Sequence, residues 1–110
     1  MKQHGMELAP VFAALADDTR WGILTELGRE ELSASALATR LPVSRQAIAK
    51  HLSALVEVGL IEAVPVGREI RYRAIGARLG AIADELAAIG DAWDRRLAGI
   101  KRVAERLEPR

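Results

Sequence analysis

The side chains best suited to binding chemistry in this 110-residue sequence lie in two short basic segments. The first segment contributes Ser44, Arg45, Gln46, Ala47, Lys50 and His51, and the second contributes Arg68, Arg71 and Arg73. Arginine and lysine bind phosphate, while Arg and Gln side chains can also form hydrogen bonds with base edges. No Asp or Glu lies between Leu32 and Val56, so the first segment would offer unopposed positive charge to a polyanion. The formal net charge is only +1, so the signal is the local distribution of charge.

The residue types offer little for catalysis or metal binding. The sequence has no cysteine, which excludes disulfides, thiolate nucleophiles and zinc ribbons. His51 lies in the first basic segment, and His4 is expected in an N-terminal tail. Asp17-Asp18 and Glu30-Glu31 fall at predicted helix ends, where carboxylates act as caps and dipole partners. We therefore predict a protein without enzymatic activity, bound metal or cofactor.

A helix-turn-helix over residues 33–58 is predicted to position the first basic segment. Ser33 or Ser35 can cap a short helix, and a proline-containing turn follows at Leu41-Pro42-Val43. Ser44 is then a good N-cap for a second helix that extends to about Val58. This helix has one apolar stripe and one polar face. The stripe comprises Ile48, Leu52, Leu55 and Val56, and the outward face comprises Gln46, Lys50 and Ser53.

The second basic segment is predicted to lie on a two-stranded β-hairpin, residues 60–75, with its tip near Gly67-Arg68. Apolar and basic residues alternate in its second half, so that Ile70, Tyr72 and Ala74 share one face and Arg71 and Arg73 the other. A two-stranded ribbon consists only of edge strands, and Pro65 is acceptable there. The hairpin would form a wing beside the helix-turn-helix.

Further helices are predicted at residues 7–16, after Asp17, and at 76–107. The last carries leucine, tryptophan and isoleucine residues every seven positions, a seam typical of helix pairing: Leu79, Leu86, Trp93, Ile100 and Leu107. The glycines Gly80, Gly90 and Gly99 leave open whether it is one helix or two. The expected fold is one mainly α domain with a small β-hairpin, a winged helix-turn-helix with a long C-terminal helix.

No apolar run reaches the roughly 18 residues of a membrane span, and no signal peptide is evident, so we expect a cytoplasmic protein.

Several motifs together resemble the ArsR family of winged-helix repressors, from about Leu8 to Leu97. They are Ala14-Leu15-Ala16-Asp17-Asp18-Thr19-Arg20 with Ile23-Leu24, Val43-Ser44-Arg45-Gln46-Ala47-Ile48-Ala49-Lys50-His51-Leu52, Val58-Gly59-Leu60-Ile61, and Gly67-Arg68 with Tyr72. The resemblance implies a homodimer that binds a palindromic operator on double-stranded DNA. Its two recognition helices would enter successive major grooves, and an inducer would release the DNA.

The resemblance also implies that the first and last helices pair across the two-fold axis. The seven-residue seam is this sequence's own support for such an interface. The residues predicted to form it are Leu8, Val11, Phe12, Leu79, Ile82, Leu86, Ile89, Trp93 and Leu97.

The sequence departs from the family at its metal sites. Metal sensors of the family carry Glu-Leu-Cys-x-Cys at the start of the third helix, where this chain has Ser33 and Ser35 in place of the two cysteines. A neutral hydroxyl is a poor ligand for metals that are held by soft thiolates. The family's other site uses Asp and His on the last helix, and this segment has no His. We therefore predict a member that does not sense metals.

Two alternatives remain open. The first is a winged-helix protein–protein interaction module, whose long apolar helix grips another partner while the wing is unused. The second is a repressor that holds a small organic effector near Trp93 or Trp21.

Overall fold

The computed structural model of the chain describes residues 8–107, so His4 and the predicted helix start at residue 7 lie outside the described residues. The elements are α1 (Leu8–Leu15), α2 (Asp18–Leu27), β1 (Leu32–Ser33), α3 (Ala34–Arg40), α4 (Arg45–Glu57), β2 (Ile61–Val66), β3 (Glu69–Ala74) and α5 (Gly76–Leu107). This order confirms the winged helix-turn-helix with a long last helix. The described residues form two compact units, the first ending at Leu79 and the second beginning at Gly80.

Three helices of the first unit begin at polar caps that the sequence predicts. The Asp17 carboxylate accepts hydrogen bonds from the backbone N–H groups of Thr19 (2.8 Å) and Arg20 (3.1 Å). Ser33, rather than Ser35, caps α3, and Ser44 caps α4. Each cap satisfies backbone donors that have no partner within the helix, which fixes where the helix begins.

The apolar core of the first unit lies where α2, α3 and α4 meet the sheet. Its fully buried side chains come mainly from these elements: Ile23, Leu37, Ile48, Leu52, Leu55, Leu60 and Ile61. The predicted stripe of α4 is confirmed at three of its four positions. Val56 is 41% exposed and was wrongly placed in the stripe. Successive residues are about 100° apart on a helix, so Val56 points away from buried Leu55.

The predicted hairpin is confirmed as β2 and β3, with its turn at Gly67-Arg68, and β1 adds a third strand that was not predicted, giving an antiparallel sheet in the order β1-β3-β2. Leu32 pairs with Tyr72 and Ser33 with Arg71, which makes β3 the central strand. β1 has only two residues, too few to show an alternating pattern, so the sequence does not reveal it. Pro65 lies in β2, which is an edge strand, in agreement with its missing N–H. The predicted apolar face of β3 is only partly covered, because Ile70 is 49% exposed.

Gly59 ends α4 in the left-handed conformation, with φ +78°. The N–H of Leu60 donates to the carbonyl of Leu55 (3.1 Å), which closes the last turn and directs the chain into β2. The Arg78 guanidinium donates to the carbonyl of Gly59 (3.2 Å) and occupies the space that a Cβ there would need. Both backbone angle and packing therefore favour glycine at this position.

The segment after the wing is one continuous helix, α5, despite its glycines. Ile82 is the buried residue of this helix, whereas its large apolar side chains from Leu86 onward are exposed. Among the helices of residues 8–107, none combines the length and apolar character needed to cross a bilayer.

Candidate nucleic-acid interface

The predicted recognition helix, α4, presents a polar exposed face. Arg45, Gln46 and Lys50 are exposed, as predicted, and the half-buried Ala47 and His51 lie on its flank. The helix begins at Ser44, whose hydroxyl accepts the N–H of Ala47 at 3.1 Å. This cap orients the first turn, from which the exposed side chains project.

His51 is held by a residue from another helix. The Nε–H of Arg20, in α2, donates to Nδ1 of His51 at 3.0 Å. Nδ1 can accept only when it carries no proton, so the neutral imidazole carries its proton on Nε2. The contact joins the beginning of α2 to the middle of α4. The hydrogen bond gives His51 a structural role, and its contact with DNA remains a prediction.

The cap of α2 lies beside this contact and carries a perturbed carboxylate. The backbone N–H of Arg20, followed by that of Thr19 and by the nearby positive charge of Arg20, lowers the pKa of Asp17. Desolvation opposes this shift only in part. A charged Asp17 therefore both caps α2 and faces the Arg20–His51 pair.

Two of the three wing arginines are paired with acids. The Nε of Arg73 lies 2.7 Å from Glu62, and its Nη1 lies 3.6 Å from Glu31. Arg71 lies 2.8 Å from Glu69. The hydrogen bond and charge of Glu62, with a smaller effect from Glu31, raise the pKa of Arg73 above its ordinary value. These pairs brace the sheet and reduce the positive charge that Arg71 and Arg73 can offer to DNA.

Arg40 is also paired with carboxylates, although it lies in the stretch of sequence that contains no acid. Its guanidinium contacts Glu26 at 2.9 Å and Glu30 at 3.1 Å. Hydrogen bonds from these two carboxylates raise the pKa of Arg40. The linear charge pattern thus overstates the local positive charge, because acids earlier in the chain fold back onto it.

The remaining basic residues of the helix-turn-helix and wing are Arg45, Lys50 and Arg68. Within residues 8–107, none of the three has an acidic partner within 4.0 Å. Arg45 and Arg68 both line one cavity of about 370 Å³. The other lining residues come from the start of α3 and from the wing: Ser33, Ala34, Ser35, Glu69, Ile70 and Tyr72.

This cavity brings together residues that the sequence places in separate elements. The two arginines, together with the serines and Tyr72, can hold an anion in this space, while the carboxylate of Glu69, which also lines it, is paired with Arg71. Sequence reasoning did not assign Ser35 or Tyr72 to this surface. The pairing of Leu32 with Tyr72 joins the start of α3 to the wing, and this pairing brings Ser35 and Tyr72 to the same cavity.

The residues predicted to form the dimer interface divide into two sets. Val11 and Ile82 are buried within the chain itself, and Leu8 and Leu79 are half-buried. The others are exposed large apolar side chains: Phe12, Leu86, Ile89, Trp93 and Leu97. Trp21 is also 58% exposed, so it is not a core residue.

The two serines at the family's metal position have other surroundings. Ser33 accepts the N–H of Ala36 at 3.1 Å as the cap of α3, and Ser35 is exposed. Across residues 8–107, no group of three or more His, Cys, Asp or Glu side chains is arranged to hold a metal ion.

Comparisons with known proteins agree with this architecture. A helix-turn-helix domain family model matches residues 15–64. The HTH-type transcriptional regulator Rv2034 of Mycobacterium tuberculosis is 34% identical over 92 residues, which cover 84% of this chain and 83% of that protein.

Solved structures extend the likeness to the whole fold. An ArsR-like transcriptional regulator from Rhodococcus sp. RHA1 has 69% identity and a TM-score of 0.82, with 92% of this chain and 93% of that chain covered. The homodimeric winged helix-turn-helix DNA-binding domain of Mb0332 from Mycobacterium bovis has 30% identity and a TM-score of 0.61, with coverages of 82% and 81%. The chain belongs to the ArsR family of winged helix-turn-helix transcriptional regulators.

Proposed function

We propose that this regulator is a homodimeric repressor that binds a palindromic operator. Each α4 lies in a major groove, and each wing follows the adjacent backbone. The observation that carries the proposal is the pairing state of the basic residues. Arg45 and Arg68 have no acidic partner among the described residues and line the same cavity. Arginines left without acids on an exposed polar surface are suited to phosphate.

The proposed roles divide between reading and positioning. Gln46 and Lys50, which are exposed on α4, contact base edges in this proposal. Arg45 and Arg68 hold a backbone phosphate between the recognition helix and the wing, which sets the register of α4 in the groove. Arg71 and Arg73 act mainly through Glu69 and Glu62, by keeping the wing in shape. We propose no catalytic step.

A fluorescence-anisotropy titration on the DNA upstream of the chain's own gene tests the proposal. Specific binding is expected at near-physiological salt, with an unrelated duplex bound more weakly by about 10³-fold or more. R45E and K50E chains should lose specific binding while remaining folded by circular dichroism. The matched control is R29E, the same charge reversal at an arginine that is 70% exposed outside the proposed surface. Equal loss in R29E would contradict the assignment of the surface.

Footprinting tests the palindrome. A dimer with two recognition helices should protect two half-sites whose centres are about 34 Å apart, one helical turn, or a multiple of that spacing. Protection of a single half-site by a chain that is dimeric in solution would contradict this arrangement. A chain that binds no DNA and is monomeric would instead favour the interaction module.

The proposal includes a repressor without the family's cysteine metal site. Ser33 is occupied as a helix cap, and a hydroxyl does not replace a thiolate as a ligand for soft metals. Zn²⁺ or Cd²⁺ at micromolar concentration should therefore leave operator affinity unchanged. Release by either ion would overturn this part. We propose a small organic effector as the inducer and the cytoplasm, where the operator DNA is found, as the location of the protein.

A further inference from the structure

The cavity between the start of α3, the start of α4 and the wing is larger than a single phosphate group requires. Its volume is about 370 Å³, and sites for small organic molecules begin at about 300 Å³. All of its lining residues belong to the first unit of the chain. A phosphate held by the arginines would fill only part of this volume. The remaining space is therefore large enough for the carbon skeleton of a small organic ligand.

The cationic side of this cavity is formed by Arg45 and Arg68. Arg45 is the first residue of α4, where the helix dipole adds partial positive charge. Arg68 follows Gly67, whose φ of +63° belongs to the turn of the wing. Among residues 8–107, neither guanidinium has an acidic partner within 4.0 Å. The two arginines are therefore available to bind a doubly charged phosphate ester.

Hydroxyl groups in the cavity lining add further hydrogen-bonding capacity. In the part of the chain that the structure describes, the hydroxyls of Ser35 and Tyr72 form no hydrogen bond with another residue. Ser33 accepts the N–H of Ala36 at 3.1 Å, which leaves its hydroxyl proton as a donor. These hydroxyls can bind phosphate oxygens or the hydroxyls of a ligand.

Glu69 is the acidic residue of the lining, and it narrows the class of ligand. Arg71 donates to Oε1 of Glu69 at 2.8 Å, which leaves Oε2 as an acceptor. This carboxylate disfavours a second anionic group in the cavity, but it can accept a hydrogen bond from a ligand hydroxyl. Ile70 and the ring of Tyr72 offer apolar surface beside it. A phosphate at one end and a hydroxyl-bearing carbon skeleton at the other match these surroundings.

We propose that this cavity binds a small phosphate ester of a polyol, such as a sugar phosphate, and that this ligand competes with operator DNA. Its phosphate lies between Arg45 and Arg68, and its hydroxyls bond to Glu69 and Tyr72. The ligand site is argued from the cavity alone. The competition rests on the proposed function, in which a DNA backbone phosphate occupies the same two arginines. Because one phosphate excludes the other, the ester releases DNA without a change of fold.

Isothermal titration calorimetry in the absence of DNA tests the site. The probes are ribose 5-phosphate, glucose 6-phosphate and glycerol 3-phosphate, with ribose and inorganic phosphate as the separate halves of the first. At least one ester should bind at one site per chain, about tenfold or more tightly than either half, because only the ester engages both ends of the cavity. Inorganic phosphate that binds as tightly as the esters would overturn the ligand class. No binding of any ester at millimolar concentration would overturn the site.

Two variants with matched controls locate the ligand. R68A should weaken binding of the ester by about tenfold, because a hydrogen bond to a charged group is lost. S35A should weaken it by about fivefold, because a neutral hydrogen bond is lost. The controls are R29A and S53A, the same changes at exposed residues outside the cavity, and circular dichroism verifies the fold of all four. Equal loss in the controls, or no loss in R68A and S35A, would overturn the assigned site.

Anisotropy titrations on operator DNA test the competition, at constant ionic strength so that screening does not change. The ester should raise the apparent Kd for the operator in proportion to its concentration, with no plateau, and the inhibition constant should equal the calorimetric Kd. A plateau would show that ester and DNA bind together and would overturn the competition. A chain that binds the ester but no operator would overturn the proposed function and the competition. A chain that binds the operator but no ester would overturn this inference alone.

Discussion

Arg68 and Arg73 lie in the same small sheet, yet they differ in what surrounds them. Arg73 is fixed between Glu62 and Glu31, whereas Arg68 lines the cavity beside Arg45 with no acid within 4.0 Å among the described residues. A guanidinium that already has carboxylate partners gains less from phosphate, because it must first give them up. At the scale of single residues, the presence or absence of a carboxylate partner therefore distinguishes Arg68 from Arg73, although the sequence pattern predicts the same role for both.

The salt dependence of operator binding should follow this difference. R68A should reduce the slope of log affinity against log salt by about one, because one phosphate contact and its released counterion are lost. The charge-neutral control R73A/E62A should leave the slope unchanged. The measurement is anisotropy at several salt concentrations. A slope reduced equally in both variants would show that the ion pairs open on DNA.

Arg45 and Arg68 should act on one phosphate rather than two. If so, R45A and R68A should each weaken operator binding, and the double variant should lose less than the sum by at least about 0.5 kcal/mol. The cycle is measured by equilibrium titration at one salt concentration. Additivity within about 0.3 kcal/mol would indicate separate contacts. Pairing of R45A with the remote R29A provides the additive reference.

Helix caps are the features of the elements that the sequence predicts best. Asp17, Ser33 and Ser44 each satisfy local N–H groups within three residues, so the signal is contained in a short stretch of sequence. β1 and the Arg40–Glu26 contact could not be predicted in this way. Their partners, Tyr72 and Glu26, are far along the chain, and only the folded backbone brings them close. The recognition helix was therefore predictable, whereas the cavity it shares with the wing was not.

Removal of the α4 cap should cost stability. S44A leaves the N–H of Ala47 without its acceptor and is expected to lower the free energy of unfolding by about 1 kcal/mol. For a domain of this size that corresponds to a fall in Tm of about 4–8 °C. S53A, on the exposed face of the same helix, is the control and should be neutral, because alanine favours helix. A loss in S53A equal to that in S44A would argue against a specific capping effect.

The cap of α2 should add a pH dependence. Because folding lowers the pKa of Asp17, its stabilisation is fully present above the pKa of the unfolded carboxyl. It is lost as pH falls through the lower folded value. D17N keeps a capping side chain but cannot ionise, so its stability should be below that of the unmodified chain at neutral pH and converge with it in acid. Urea unfolding across the acid range measures this. A difference that stays constant with pH would contradict the lowered pKa.

At the scale of the whole molecule, operator affinity should depend on α5, because dimerisation through this helix would join two DNA-binding surfaces that each bind a half-site weakly. Trp93 and Trp21 are exposed to a similar degree, 55% and 58%, so W93E and W21E are matched replacements. W93E places a carboxylate at the centre of the seven-residue seam of α5 and should make the chain monomeric. Loss of bivalent binding should then weaken binding to the full operator by about 10² or more. Binding to a single half-site should be unchanged, because the DNA-facing surface is intact.

W21E should remain dimeric with unmodified operator affinity. A monomeric W93E that keeps full operator affinity would show that the two recognition helices do not act together, and a monomeric W21E would move the interface to α2.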